Sequence, residues 1–85
     1  MDELLTSGFF LYPNPARNRV SLRFPIYLRW YYYRVYDYTG RLVMERQEYN
    51  GTQEDEINIR QFQSGIYIVE VYTELGFFSK KLIVN

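Results

Sequence analysis

The sequence predicts an all-β fold, an immunoglobulin-like antiparallel β-sandwich of about seven short strands. Turn signals made of Gly, Pro, Asn and Ser recur throughout the chain, and the runs between them are rich in Val, Ile, Tyr, Phe and Trp. No segment keeps an apolar period of 3.6 residues for more than one turn. Short strands at this spacing are typical of a sandwich. The Cys-Trp-Cys pattern of true immunoglobulin domains is absent, so only the architecture is predicted.

Three strands are predicted in the first half of the chain, at residues 9–12, 19–24 and 30–37. Pro13 and Pro15 end the first strand, because proline cannot donate to a ladder. With Asn14 between them they are expected to form a rigid turn. The second strand alternates polar and apolar residues, and the third has aromatic residues on both faces. Arg34 is expected to point outward. Alternation then gives an inner set of Tyr31, Tyr33 and Val35 and an outer set of Trp30, Tyr32 and Tyr36.

Four more strands are predicted at residues 41–49, 56–60, 65–73 and 77–84. A tight turn joins the third and fourth strands, with Gly40 at positive φ and Asp37 accepting hydrogen bonds from backbone amides. Gly65 and Gly76 are expected to form the turns before the last two strands. Alternation predicts an inner set of Ile57, Ile59, Tyr67, Val69, Val71, Phe78, Leu82 and Val84.

The last predicted strand is unusual for the end of a chain. Most domains end in a few loose polar residues, whereas this sequence ends in a hydrophobic strand with Lys80 and Lys81. One interpretation is that the two lysines protect an exposed sheet edge from aggregation. The other is that a partner recognises this strand or its edge by added main-chain pairing. The two interpretations are compatible.

The length predicts a single domain. Eighty-five residues are enough for one core and too few for two. We expect residues 1–7 to be a linker or an expression remnant and residues 8–85 to be the domain. Aromatic residues make up 20% of the chain and bury the most area per side chain, so they are expected to stabilise so small a core.

The composition argues against several classes of function. The chain has no Cys and no His, which excludes disulfides, thiol chemistry and Ser-His-Asp catalysis. Glu54, Glu56 and Glu70 lack the spacing of paired catalytic carboxylates. We therefore predict no enzyme activity, no small-molecule substrate, no cofactor and no metal, with the acidic run 54–56 in a solvated loop. Ten basic and ten acidic residues cancel, which predicts no nucleic-acid partner. No apolar run approaches the roughly 20 residues of a membrane-spanning helix.

Four motifs in order along the chain resemble those of one known family. They are LYPNPA at residues 11–16, VYDYTGRLV at 35–43, SGIYIVEV at 64–71 and SKKLIV at 79–84 after Gly76. Together they resemble the type A C-terminal sorting domain of the type IX secretion system of Gram-negative bacteria. The resemblance spans nearly the whole chain. The sequence departs from the family at Tyr38, where an aliphatic residue is usual, and in the aromatic run 30–33.

The resemblance implies a sorting signal attached to a larger secreted cargo protein. Such a parent reaches the periplasm by its own N-terminal signal, and proteins of the outer-membrane machinery then recognise the folded domain. A sortase-like peptidase commonly cuts upstream of it, leaving the cargo at the cell surface or outside the cell. The element expected to be recognised is the last strand, with residues Lys80, Lys81, Leu82, Ile83 and Val84.

Two alternatives stay open at this point. The first is an immunoglobulin-like binding module that uses an outer aromatic face of Trp30, Tyr32 and Tyr36 for a glycan or a protein. Against it, the same residues are the right type to fill a core. The second is a structural domain that associates weakly with copies of itself through edge strands or aromatic residues.

Overall fold

The computed structural model describes residues 8–24, 28–47 and 53–85, which form seven strands. These are Phe10–Tyr12 (β1), Arg19–Arg23 (β2), Trp30–Asp37 (β3), Leu42–Gln47 (β4), Glu54–Asn58 (β5), Gly65–Thr73 (β6) and Gly76–Val84 (β7). The bounds of the third and sixth predicted strands are confirmed. The predicted linker at 1–7 and the end of the predicted fourth strand at 48–49 lie outside the described residues.

The seven strands form two antiparallel sheets, which confirms the predicted all-β sandwich. One sheet has the order β1-β2-β5 and the other the order β4-β3-β6-β7. In both sheets, every pair of neighbouring strands is antiparallel. Among the described residues, none belongs to a helix that is long and apolar enough to cross a membrane. The larger sheet has β4 and β7 at its two edges, and β7 is the candidate recognition strand.

The core lies between the two sheets and contains most of the predicted inner side chains. Val20 and Leu22 of β2 and Val69 and Val71 of β6 belong to one core cluster, and all four are fully buried. Each such side chain contributes about 1.5–3 kcal/mol relative to full exposure. Of the inner residues predicted in β5, β6 and β7 and just after β5, Phe78 is half-buried, and the others are buried: Ile57, Ile59, Tyr67, Leu82 and Val84. Tyr33 and Val35 are also inside, as predicted.

The prediction that Trp30 points outward is wrong. Trp30 is 1% exposed, and its ring centroid lies 5.4 Å from that of Tyr33 in the core. The register between β3 and β6 shifts between Trp30 and Tyr32, which marks a β-bulge. A bulge inserts an extra residue and interrupts the period of two. As a result Trp30 and Tyr33 share the inner face, while Tyr31, predicted inside, packs its ring 5.3 Å from Tyr72.

The predicted bounds of the fifth strand, 56–60, are also wrong, because β5 begins two residues earlier. The acidic run 54–56 lies in the strand and not in a solvated loop. Asp55 is half-buried between the sheets and accepts a 2.9 Å hydrogen bond from the Tyr33 hydroxyl. Arg46 lies 3.8 Å from the same carboxylate. Across β2, Glu56 pairs with Arg19 at 3.6 Å. Five register pairs with β2 thus hold this acidic run in a strand despite its low strand propensity.

The predicted turn between β3 and β4 is confirmed in its details. Gly40 has a φ of 92°, a conformation that favours glycine. The Asp37 carboxylate accepts hydrogen bonds from the hydroxyl of Thr39 at 2.6 Å and from the amides of Thr39 and Arg41 at 3.0 Å. These bonds, led by that of the Thr39 hydroxyl, lower the pKa of Asp37, because they favour its charged form. Arg41 also forms an ion pair with it at 3.3 Å.

Candidate recognition strand

The position of β7 is fixed first by its hairpin with β6. The Thr73 hydroxyl accepts a hydrogen bond from the amide of Leu75 at 3.0 Å and donates one to the carbonyl of Gly76 at 2.9 Å. Gly76 has a φ of 112°, so the predicted turn glycine is in the conformation expected of it. The two strands then pair without a register shift from Thr73↔Gly76 to Gly65↔Val84. Gly65, the other predicted turn glycine, is the first residue of β6.

Strand alternation divides the five predicted recognition residues between two faces of the sheet. Leu82 and Val84 are 0% and 3% exposed, so they contribute to the core and a partner cannot touch them in the folded domain. Lys80 is half-buried on that same inner face. Lys81 is exposed and Ile83 half-buried on the outer face. The structure therefore leaves Lys81 and Ile83 as the members that face outward.

Residues 13–16 cover the outer edge of β7. The Asn14 carboxamide donates from Nδ2 to the carbonyl of Lys81 at 2.9 Å, and its Oδ1 accepts from the amide of Ile83 at 3.0 Å. Ala16 continues the pairing, because its amide donates to Ile83 O and its carbonyl accepts from the amide of Asn85, both at 2.8 Å. Ala16 and Val84 form a parallel bridge. Residues 13–16 thus take the place of a neighbouring strand along residues 81–85.

The sequence predicts only a turn at residues 13–15, so this edge contact goes beyond the prediction. The signal was present in the residue types. Pro13 and Pro15 have no amide proton, so they cannot donate to a sheet edge. Asn has both a donor and an acceptor on one side chain, like a backbone peptide unit. An Asn between two prolines is therefore suited to pair with an edge by its side chain.

The outer face of the larger sheet has an aromatic row of Tyr31, Tyr32, Tyr72 and Phe77. The ring centroid of Tyr72 lies 5.4 Å from that of Tyr32 and 4.7 Å from that of Phe77. Phe77 is 58% exposed. Of the predicted aromatic contact face, Tyr32 and Tyr36 thus lie half-buried on the outer face, while Trp30 belongs to the core.

Charges on the outer face differ in whether they are paired. Arg34 lies 4.6 Å above the Tyr32 ring and donates from Nε to Glu45 at 2.7 Å. That hydrogen bond raises the pKa of Arg34, because it stabilises the guanidinium. Lys81 differs: within residues 8–24, 28–47 and 53–85, no carboxylate oxygen lies within 4.0 Å of its amine. Lys81 is therefore an exposed cation that can pair with a partner's carboxylate.

The acidic side chains of the described part of the chain are dispersed. That part contains no group of three or more His, Cys, Asp or Glu side chains that could hold a metal ion. The two half-buried aspartates, Asp37 and Asp55, each accept hydrogen bonds from groups within the fold. What this end of β7 presents is a covered strand edge, an exposed lysine and partly exposed apolar side chains.

Comparison with known proteins identifies a family over nearly the whole chain. A family model described as a secretion system C-terminal sorting domain matches residues 10–85, from the first residue of β1 to the residue after β7. The match therefore includes both the 13–16 segment and the strand whose edge it covers. No curated protein matches the chain.

Proposed function

Because the chain belongs to the family of secretion system C-terminal sorting domains, we propose that outer-membrane proteins of the type IX machinery recognise it through β7. A member of this family is a sorting signal for type IX secretion and works as part of a larger cargo protein. The cargo is exported to the cell surface or the extracellular space. The family is not a class of enzymes.

The observation that supports β7 as the recognised element is the division of its side chains. Lys81 and Ile83 point outward from an edge strand, while Leu82 and Val84 on the other face are buried in the core. The outward pair has a defined position only when the inward pair is packed. A partner that contacts Lys81 and Ile83 therefore distinguishes a folded domain from an unfolded one, as expected of a signal recognised after folding in the periplasm.

The proposed function is tested by fusing the chain to a reporter exported to the periplasm. In a host with the type IX system we expect the reporter on the cell surface, and in the same host without its outer-membrane translocon we expect it to remain in the periplasm. Equal surface display in the two hosts would overturn the proposal. Proteolysis of intact cells and immunolabelling measure the displayed fraction.

The lysines of β7 provide the matched variants for this assay. We expect the double change Lys80→Ala and Lys81→Ala to lower display about tenfold, the effect of losing about 1.4 kcal/mol of binding. Because Lys80 is half-buried on the inner face, Lys81→Ala alone should account for most of this loss. The control removes two cations elsewhere, Arg17→Ala and Arg60→Ala, and should display like the wild type. If both doubles display equally, the lysines are not part of the recognised element.

We also propose that a sortase-like peptidase cuts the cargo upstream of this domain. The proposal predicts that the displayed reporter is shorter than the periplasmic one by about the mass of the chain, 10.4 kDa. Mass spectrometry of the surface-released reporter gives the cut position. A displayed reporter that keeps the whole domain would contradict this step while leaving recognition intact.

A second candidate function is favoured by the exposure of Phe77 and Tyr72 in the aromatic row. We propose as an alternative that this row binds a glycan or a protein, because aromatic side chains supply rigid amphipathic contact area. Glycan-array binding that is lost on Tyr32→Ala or Phe77→Ala, with the fold intact, would support it. Light scattering that shows a mass rising with concentration would instead support self-association through the same face.

A further inference from the structure

The pairing of residues 13–16 with β7 limits how a partner can contact that strand. Backbone groups of alternate residues in a strand point to the same edge. Those of Lys81 and Ile83 point away from β6, and Asn14 and Ala16 already bind three of them, Lys81 O, Ile83 N and Ile83 O. An added strand along residues 81–85 would have to displace four hydrogen bonds of 2.8–3.0 Å. Recognition by main-chain pairing is therefore disfavoured at this position.

What remains accessible at this end of β7 is its outward face. Ile83 lies directly opposite Ile66 of β6, and Lys81 lies directly opposite Ile68. Ile66 is 47% exposed and Ile68 36% exposed. Ile66, Ile68 and Ile83 thus form a continuous isoleucine patch on the outer face, with Lys81 at its edge. Cross-strand neighbours in such positions are about 5 Å apart, so one small partner surface can cover all four.

The positive charge of Lys81 beside the isoleucine patch indicates the chemistry of the partner. Lys81 has no carboxylate within ion-pairing distance among the described residues, whereas Arg34 on the same face is paired with Glu45. Desolvating an unpaired lysine against apolar surface is unfavourable unless the partner supplies a carboxylate. The complementary surface is therefore apolar, with an Asp or Glu side chain placed opposite Lys81.

We propose that the secretion machinery contacts the isoleucine patch and Lys81 through such an apolar surface with a carboxylate, and that Asn14 is the positioning residue of this site. The inference deepens the proposed function and rests on it. Asn14 does not touch the partner. It holds Lys81 and Ile83 in place from the edge of the sheet, so that a partner contacts side chains and adds no strand at residues 81–85.

The Asn14→Ala variant distinguishes the two modes of recognition by the sign of its effect. If a partner added a strand, uncovering the edge would raise display of the fused reporter. If the partner contacts the outward side chains that Asn14 holds, display falls, and we expect a loss of about tenfold. The Asn14→Asp variant keeps the acceptor for the Ile83 amide and should retain more display than Asn14→Ala. Unchanged or increased display in Asn14→Ala overturns the inference.

A matched control separates positioning from general loss of stability. Asn58 also uses its side chain to bind backbone, accepting from the Arg60 amide at 3.0 Å on the other sheet. Asn58→Ala should display like the wild type. Hydrogen exchange at the Ile83 amide should accelerate in Asn14→Ala and not in Asn58→Ala, while circular dichroism shows both folded. Equal display by the two variants contradicts a specific role of Asn14.

The partner surface is tested by changing the patch itself. Ile66→Ser and Lys81→Glu should each lower display about tenfold without lowering the folded fraction. Their controls are Leu42→Ser, since Leu42 is 46% exposed on the opposite edge strand, and Arg60→Glu. If each variant displays like its control, the patch is not contacted. If the wild-type fusion is not displayed at all, the proposed function itself fails, which is a separate result.

Discussion

Truncating Leu82 tests whether the inner face of β7 belongs to the core. Leu82 is 0% exposed, and Leu→Ala changes at such sites cost about 2–5 kcal/mol. A chain of 85 residues has a total stability of about 4–13 kcal/mol, at about 0.05–0.15 kcal/mol per residue. Leu82→Ala should therefore remove a large share of the free energy of unfolding. For a domain of this size the melting temperature should fall by at least about 8 °C.

Thermal unfolding followed by circular dichroism measures this change. Ile66→Ala is the control on the other face of the same sheet, where the side chain is 47% exposed and its truncation should cost about 1 kcal/mol or less. A decrease of less than about 4 °C for Leu82→Ala, or equal decreases for the two variants, would refute the assignment of Leu82 to the core.

The same variant connects stability with export of the fused reporter. In Leu82→Ala, display should fall in proportion to the folded fraction and recover when the assay is run at lower temperature. In Lys81→Ala, display should fall while the melting temperature stays within about 4 °C of the wild type, since exposed substitutions change stability by about 0.5 kcal/mol or less. A Lys81→Ala variant that is as unstable as Leu82→Ala would contradict the division of β7 into two functional faces.

Three further predictions concern the fold. Tyr33→Phe removes the hydroxyl that donates to Asp55, and the free energy of unfolding in urea should fall by about 1.5–3 kcal/mol, the range for bonds to charged groups; no change would show that the bond contributes nothing. Hydrogen bonds lower the pKa of Asp37 below its usual 3.8, so the stability they give is present above that pH and is lost as the pH falls through the folded-state pKa. The calorimetric melting temperature of the wild type should thus exceed that of Asp37→Asn at about pH 7 and approach it in acid, and a constant difference would contradict this. Gly8→Ala should destabilise more than Gly40→Ala: both glycines have positive φ, but a Cβ at Gly8 would collide with an aromatic ring of β7 and one at Gly40 meets open space. Gly40→Ala should cost about 1–2 kcal/mol, and equal effects in chemical denaturation would be inconsistent with that packing.

The features predicted correctly from the sequence are those decided by local physics. The bounds of β3 and β6 follow from β-branched and aromatic runs between turn residues. The turn at Asp37 follows from the conformational freedom of Gly40 and from the tendency of Asp side chains to accept hydrogen bonds from nearby backbone amides. The inner set of β6 and β7 follows from a period of two, which no register shift interrupts in that pair.

The features that were missed depend on contacts between distant residues. Trp30 is inside because of a bulge, and a bulge is a property of two paired strands that one strand's sequence does not show. The acidic residues of β5 form a strand because they pair with β2, which places Arg23 opposite Glu54. The edge contact of Asn14 with Lys81 joins residues 67 positions apart, too far for any local pattern to indicate it.

The two ends of β7 are fixed by different sets of hydrogen bonds, and the register of the strand depends on both. A slip of one residue would turn Lys81 and Ile83 inward and Leu82 outward, because side chains alternate between the faces. The hairpin at Gly76 fixes one end through Thr73. At the other end, Asn14 binds Lys81 and Ile83 specifically, and a slipped strand would present the wrong backbone groups to it. The motif around Asn14 and the motif of the last strand therefore depend on each other, since both are needed to hold Lys81 on the outer face.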